Sequence, residues 1–569
     1  MAPEILHLPD GQTFDVTPVF AGVGFRSHEY NTHHHPYPAG WTTVLHTEED
    51  RVSFCDEQHQ HQHQGDHQGE NHAHPRTRRD SARELAELDD ANGVKQQQQH
   101  HHKLTRPFTR PTLTSDTLFI SSIANPPSAE FKPAISPTRQ IAMMLWVTLY
   151  WYFHQPEPAP TVDTAHSRDT PEAAKPRADW KIYIRREGVL RGRNLVPKLE
   201  RMGLIASEDS AVGTSHDDAG DSWARMFVSK RMFWQIPGHL FLFTLQPMRG
   251  LSPGLSSYPG SPAGSRPSSP SRPCSPGRDS PTTMLLPPAP TSQHLLHFNS
   301  DLPGAPMPTT PTIGPTPFPI SPFFSTSHLP TYYPPPPLQY VWTDGVRHPL
   351  RPKPPRMGEV FYTRFVPSVG QYLSFRVAST SPAPVPYFGP LCPNGDDRTA
   401  EQQHLTTLSD AALLQTWHAN PRVRAFWGDY GVGQLETALR SRHSFPVIGL
   451  WNGVPFGYFE VYWVKEDVLG RHVAGTHGDV GDWDRGLHIM VGEEWARGRV
   501  AAWLTGLMHW CWIADIRTMS VCLEPRVDNQ RMLGHLDALG FSKERQISFP
   551  HKQAWFVRSR RDAWEGPAL

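Results

Sequence analysis

Between Leu251 and Pro337 the chain offers almost nothing that can enter a core. Ser-Pro steps recur at Ser252, Ser261, Ser269, Ser275 and Ser280, and the block closes on the run Pro334 to Pro337. Proline removes backbone donors and holds the chain extended, so residues 251–337 read as a disordered insertion that any fold must be built around. Such a segment also has the composition of an SH3 or WW ligand or of a phosphorylation region. A second break lies at residues 55–104, where His59 to His74 reads HQHQHQGDHQGENHAH and Gln96 to His102 reads QQQQHHH. No spacing there fixes a coordination geometry, so the tract is a solvated insertion and no metal site is assigned. These breaks account for a chain of 569 residues with 60 prolines and a hydrophobic share of only 37%.

What remains falls into two ordered regions. Residues 1–54, 105–250 and 338–378 form the first, a polar linker spans 379–403, and residues 404–569 form the second. In the first region Thr13 to Phe20 and Trp41 to His46 read as strands. Trp180 to Ser207 reads as a strand, a turn at Gly188 and a helix ending at Gly203. The apolar run Ile141 to Phe153 is about 13 residues, short of the roughly 20 a spanning helix needs, so no membrane partner is implied. The net charge of -1 gives no basic surface for nucleic acid. Cys55, Cys274, Cys392, Cys511 and Cys522 stand singly, which suits a reducing compartment and neither zinc nor a disulfide framework. The ending Pro567-Ala568-Leu569 is no S-K-L address, which points to the cytoplasm and leaves the peroxisome open.

The second region is denser in signals. Ser409 can cap a helix running through Trp417. Phe445 to Trp451 and Phe456 to Val464 read as strands joined by Asn452-Gly453, the strongest two-residue hairpin signal. Arg485 to Val491 is a further strand. Val500, Leu504, Leu507, Met508 and Cys511 share one helical face. Thr518 to Leu523 is a strand, a helix stops at Gly540, and two strands follow. A hairpin followed by strand-helix-strand units argues an α/β (α+β) mixed sheet with helices on its faces.

Four passages carry a resemblance. They are Trp417 to Trp427 (WHANPRVRAFW), Gly457 to Trp463 (GYFEVYW), Asp484 to His488 (DRGLH), and Glu524 to Asn529 (EPRVDN) followed by Leu539-Gly540-Phe541. Together they resemble the GCN5-related N-acyltransferase (GNAT) superfamily. Within it they are similar to the aerobactin and mycobactin lysine acyltransferases and the fungal hydroxyornithine transacylases. The resemblance covers about Leu405 to Trp564. More weakly, the opening HLPDGQTF and the Trp180 segment resemble the fungal branch, which implies that the first region is a second, degenerate GNAT-like domain.

The resemblance implies an acyl-CoA-dependent N-acyltransferase that acylates the hydroxylamine nitrogen of N5-hydroxyornithine or N6-hydroxylysine in hydroxamate siderophore synthesis, with acyl-CoA as co-substrate. It places His488 as general base, with Glu524 or Asp528 as its acidic partner; Asp528 also stands where a helix cap belongs. The CoA arm would lie along Ile489 and Val491, reach Asn529, and end at a pyrophosphate turn formed by Arg497, Gly498, Arg499, Val500 and Ala501. Val500 departs there from the family's small residue. Trp427, Glu460, Tyr462, Trp463 and Asp484 are the candidate acceptor-binding residues. Two other readings stand beside this one: an acetyltransferase for another amine or a protein lysine, and an interaction protein working through its proline-rich segment.

Overall fold

The computed structural model describes residues 4–28, 40–50, 103–125, 136–192, 194–208, 226–242, 338–392, 397–473 and 480–569, all within one compact unit. The Pro/Ser-rich block, and the His/Gln tract up to residue 102, lie outside them. Lys103 and Leu104, placed in that tract by composition, instead open a strand.

The first sheet is built from β1 (Glu4–His7), β2 (Thr13–Val19), β3 (Gly22–Ser27), β4 (Gly40–Asp50), β5 (Lys103–Pro107) and β6 (Asp116–Ala124). Helix α1 (Pro137–Tyr152) crosses over to β7 (Lys181–Ile184). Then come α2 (Leu195–Arg201), β8 (Ala206–Ser207), β9 (Met226–Ser229) and α3 (Lys230–Trp234). The strands lie in the order β1-β2-β3-β4-β6-β7-β9-β8, with β5 on β4. Among its described residues only β6 and β7 run parallel. Helix α1 shows why the run Ile141 to Phe153 lacks periodicity. Every one of its residues is buried, and a helix apolar all round is a core helix. Thr148 within it donates to the Met144 carbonyl at 2.8 Å and accepts from Trp41 Nε1 at 3.0 Å, and Tyr152 donates to Asp116 at 2.7 Å. Among the described residues no helix is long and apolar enough to cross a membrane.

A small hairpin, β10 (Tyr340–Thr343) and β11 (Val346–Pro349), precedes the second sheet. That sheet begins with β12 (Val360–Val366) and β13 (Gln371–Val377). Helices α4 (Asp397–Glu401), α5 (Asp410–Ala419), α6 (Pro421–Trp427) and α7 (Gln434–Arg440) follow, then β14 (Ser444–Trp451), β15 (Val454–Trp463), α8 (Val468–Val473) and β16 (Arg485–Val491). Helix α9 (Val500–Ala514) crosses to β17 (Ser520–Leu523), and α10 (Gln530–Ala538), β18 (Ser542–Ser548) and β19 (Gln553–Arg560) complete it. The order is β12-β13-β14-β15-β16-β17-β19-β18, with β16 and β17 its one parallel pair. Asn452 and Gly453 both take positive φ, 44° and 80°, as a two-residue hairpin turn requires. Ser409 caps α5 through the Ala412 N–H at 3.3 Å.

One boundary is corrected. Sequence places residues 338–378 in the first region, yet Leu373 to Val377 pair with Val447 to Trp451, so β12 and β13 belong to the second sheet. The Pro- and Ser-containing stretch from 379 looks like a domain linker. It is a connection within one sheet, pinned where the buried Arg376 meets Asp410 through two 2.6 Å contacts. Strand pairing across such a stretch is non-local, and composition cannot report it.

The two sheets repeat one topology. Leaving aside β5, each has five antiparallel strands, one parallel step bridged by a buried helix, and a last pair in reversed order. They share one apolar core. His7 stacks on Phe365 at 4.2 Å, and Trp234 meets His509 edge-on at 5.6 Å.

Candidate active site

Strands β15 and β16 set Glu460 directly opposite His488. Glu460 Oε2 lies 2.9 Å from His488 Nδ1, and Glu524, just past β17, brings Oε1 to 2.9 Å from Nε2. Both ring nitrogens thus face carboxylates, and each needs a proton to make its contact. Burial alone would discharge the ring. The carboxylates of Glu524 and Glu460 outweigh it and hold the His488 pKa well above 6.5. The same pairing overcomes the desolvation of Glu524 and holds its pKa down to about 2; Glu460 is likewise lowered despite its burial. Both contacts favour the protonated ring between two carboxylates, where the sequence suggested a neutral histidine acting as a free base. The His488 side chain keeps 32% of its surface exposed, so the ring is not sealed in packing.

Two tyrosines complete the cluster. Tyr458 donates to Glu460 Oε1 and Tyr462 to Glu524 Oε2, each at 2.8 Å. Tyr462 lies across β16 with its ring 4.5 Å from that of His488. It can do so only because residue 486 is glycine: a Cβ there would stand 2.1 Å from the Tyr462 ring. The run Asp484 to His488 thereby gains a physical reading. Asp484 is buried and accepts the Gly481 N–H at 2.8 Å. Arg485 turns to the far face, 3.2 Å over Trp463. Gly486 admits Tyr462, and His488 enters the cluster.

Beside this cluster the sheet opens. Strands β16 and β17 pair only at Arg485 with Val521 and Gly486 with Cys522. The Gly492 N–H goes to the Phe456 carbonyl on β15, so by alternation the backbone groups of Ile489 and Val491 face the gap. Their carbonyls already accept bonds, Ile489 from Trp427 Nε1 at 3.1 Å and Val491 from Arg497 Nη2 at 3.2 Å. Their N–H groups point the same way. Helix α9 starts with no side-chain cap, and a Cβ on Gly498 would meet no atom within 4 Å. An extended arm carrying amides and a terminal phosphate fits these features: strand N–H groups for the arm, an open glycine and a helix start for the phosphate.

The structure divides the candidates. Trp427, Glu460, Tyr462, His488 and Glu524 come together, with Ile489 and Val491 on the gap and Gly498 and Ala501 at its end. Of the two acids, Glu524 is the one that contacts His488. Asp528 is exposed and bound to Arg526 at 2.5 and 2.8 Å. The helix cap expected of it is made by Asn529, which accepts the Met532 N–H at 3.2 Å. Trp463 and Asp484 are buried packing and turn residues, away from the cluster. Arg499 is also corrected: it donates to Gln371 at 2.9 Å and packs near Trp451 and Trp495. Arg497 meets Glu494 at 3.2 Å. Val500 points into the core, so the departure from a small residue costs nothing at the turn. Both nearby thiols are buried and disfavoured as thiolates. Cys511 is buried and pushed up to about 12, and burial raises Cys522 well above its ordinary value.

Tyr458 and Lys552 went unremarked in the sequence. Tyr458 was findable, being two residues before Glu460 on the same strand face. Lys552 comes from the β18–β19 turn, and no local pattern marks it.

A mixed sheet that opens beside an acid–histidine–acid cluster fits an acyltransferase of the GNAT kind. The family described as "Acetyltransferase (GNAT) domain" matches residues 406–549. The chain is 56% identical to the N5-hydroxyornithine acetylase sidL of Beauveria bassiana, over 97% of this chain and 100% of that protein. A putative lysine N-acyltransferase of Schizosaccharomyces pombe is 35% identical over 40% of this chain and 60% of its own length. The N(6)-hydroxylysine O-acetyltransferase of Escherichia coli is 36% identical over 37% and 58%. The chain belongs to the GNAT acyltransferase family, in the branch of the Beauveria acetylase.

Proposed function

We propose that this enzyme transfers an acyl group from acyl-CoA to the hydroxylamine nitrogen of N5-hydroxyornithine, a step of hydroxamate siderophore synthesis, with acetyl as the donor group. The observation that carries the reading is His488 held between Glu460 and Glu524 at the edge of the gap between β16 and β17. The activity for which the Beauveria relative is named supports the acceptor and the acetyl group.

The N–H groups of Ile489 and Val491 would hold the thioester arm, and one of them would face the oxyanion. A hydroxylamine is mostly unprotonated near neutrality, so it needs no prior activation. Its nitrogen attacks the thioester carbon, forming the N–C bond. The N–H proton passes to the Glu460 carboxylate, the C–S bond breaks, and the His488 imidazolium protonates the departing sulfur. Glu460 then returns its proton to His488. The site thus offers a proton acceptor and a proton donor at once, in the states its contacts enforce. Positioning in the gap supplies much of the remaining rate.

Thiol release from a panel of acyl-CoAs tests this, with N5-hydroxyornithine, N6-hydroxylysine and ornithine as acceptors. Acetyl-CoA with N5-hydroxyornithine should give the highest kcat/KM, at least about tenfold above ornithine, because acid–base help and positioning act on the hydroxylamine. Equal turnover of ornithine would contradict the reading.

A further inference from the structure

The buried acids of the cluster are committed to His488, and Trp463 and Asp484 lie elsewhere. The acceptor's amino-acid end therefore needs a partner that the family motifs do not supply. An α-carboxylate at the cleft calls for a cation, and two lie near. Arg526 is consumed by Asp528, which it meets with two of its nitrogens. Lys552 is different. It reaches in from the turn between β18 and β19, with Nζ 3.1 Å from the Glu524 carbonyl and 3.5 Å from Glu524 Oε1. That same Oε1 meets His488 Nε2 at 2.9 Å, so one oxygen atom links the ammonium to the imidazolium. An ammonium has three donors, and these contacts occupy two. The side chain remains 21% exposed, and its charge lies 5.3 Å from the Phe549 ring. A cation held by backbone and ring, one carboxylate away from the reacting group, suits an anion a few bonds from the attacking nitrogen.

We infer that Lys552 is the specificity residue for the acceptor: its ammonium, fixed on Glu524 at the cleft mouth, pairs with the α-carboxylate of the hydroxylated amino acid. The inference rests on the acceptor proposed above. It assigns the enzyme to ω-hydroxylamino acids as a class and against hydroxylamines that lack a carboxylate.

The test compares N5-hydroxyornithine with N-hydroxy-1,4-diaminobutane, which keeps the hydroxylamine, chain and amine and lacks only the carboxylate. Each is assayed by thiol release from acetyl-CoA, with wild-type enzyme, Lys552→Met and Lys552→Arg. The wild type should favour the amino acid by about 10- to 100-fold in kcat/KM, the scale of one charge-assisted bond. Lys552→Met should lose that preference through a higher acceptor KM, keep the diamine within about threefold, and leave the acetyl-CoA KM unchanged. Lys552→Arg should recover some of it. Equal losses on both acceptors would overturn the inference and make Lys552 a support for Glu524 alone. A wild type that takes both acceptors equally would also overturn it. Turnover of neither acceptor would instead sink the acceptor reading itself, and the inference with it.

Discussion

The two sheets share a strand order, yet only the second carries the acid–histidine–acid cluster, and strand register says why. Glu460 opposite His488 in the second sheet corresponds to Val44 opposite Phe119 in the first. Both correspondences are anchored on the parallel steps, where Gly486 pairs with Cys522 and Thr117 with Tyr183. Past the end of β7, the place of Glu524 is held by Arg185, paired with Glu48. The separation of the strands differs as well. Strands β6 and β7 stay paired through Leu118 and Ile184, and the Arg185 N–H still bonds the Leu118 carbonyl at 2.9 Å. Gly188 then packs onto β6, so close that a Cβ would stand 2.1 Å from the Ile120 carbonyl oxygen. In the second sheet the corresponding stretch of β16 faces an open gap. The fold supplies a place where neighbouring strands can separate. Function needs that gap to be left empty and three polar residues set beside it.

The comparison can be broken most forcefully at His488. Replacing it with alanine should lower kcat by about 10²–10⁴, the range for lost acid–base help, while Phe119→Ala should leave kcat per folded molecule unchanged. An unaltered kcat in His488→Ala would remove the ring from the mechanism. Glu524→Gln should cost about 10²-fold, within the same range, and should pull in the alkaline limb of the rate profile. The sign follows from the pKa directions. The cluster works while Glu460 is ionised and His488 protonated, so activity falls as pH drops through the lowered glutamate pKa. It falls again as pH rises through the raised histidine pKa. A free-base histidine would instead give a rate that climbs through 6.5. Stability follows the same linkage. The His488 contribution is fully present below 6.5 and lost as pH rises through its folded pKa. The Glu524 contribution is present above 4.5 and lost as pH falls toward about 2.

Smaller effects sharpen the contrast between the two glycines. Gly486→Ala should displace Tyr462, destabilise the protein by about 1–3 kcal/mol as overpacking does, and reduce kcat as well. Gly188→Ala meets backbone and a φ of +56°, so it should destabilise by a similar amount, about 1–3 kcal/mol. Its kcat per folded molecule should be unchanged, since no gap is used there. Chemical denaturation with parallel activity assays separates the two. Loss of kcat in Gly188→Ala would mean that the first sheet does more than support the second.

Much of the site was legible because its signals are local. Alternation in Arg485 to Val491 gave β16 and the face of His488, Asn452-Gly453 gave the hairpin that carries Glu460, and Gly540 marked the end of α10. The unread features depend on pairing between distant segments. That β12 and β13 join the second sheet is decided by Trp451 and its neighbours, across a stretch that looks like a linker. The choice between Glu524 and Asp528 turned on Arg526, which captures the second. The crossover role of α1 was hidden because a helix buried on every side has no polar stripe. The raised pKa of His488 required both glutamates at once, one on β15 and one just past β17, and no single motif contains them.

The most direct test of the account is the protonation of that ring. Ring-nitrogen NMR shifts of His488, assigned by comparison with His488→Gln, should show both nitrogens protonated at about pH 7, with titration only well above 6.5. A neutral ring under those conditions, or one titrating near 6.5, would contradict the acid–histidine–acid cluster and the proton relay built on it.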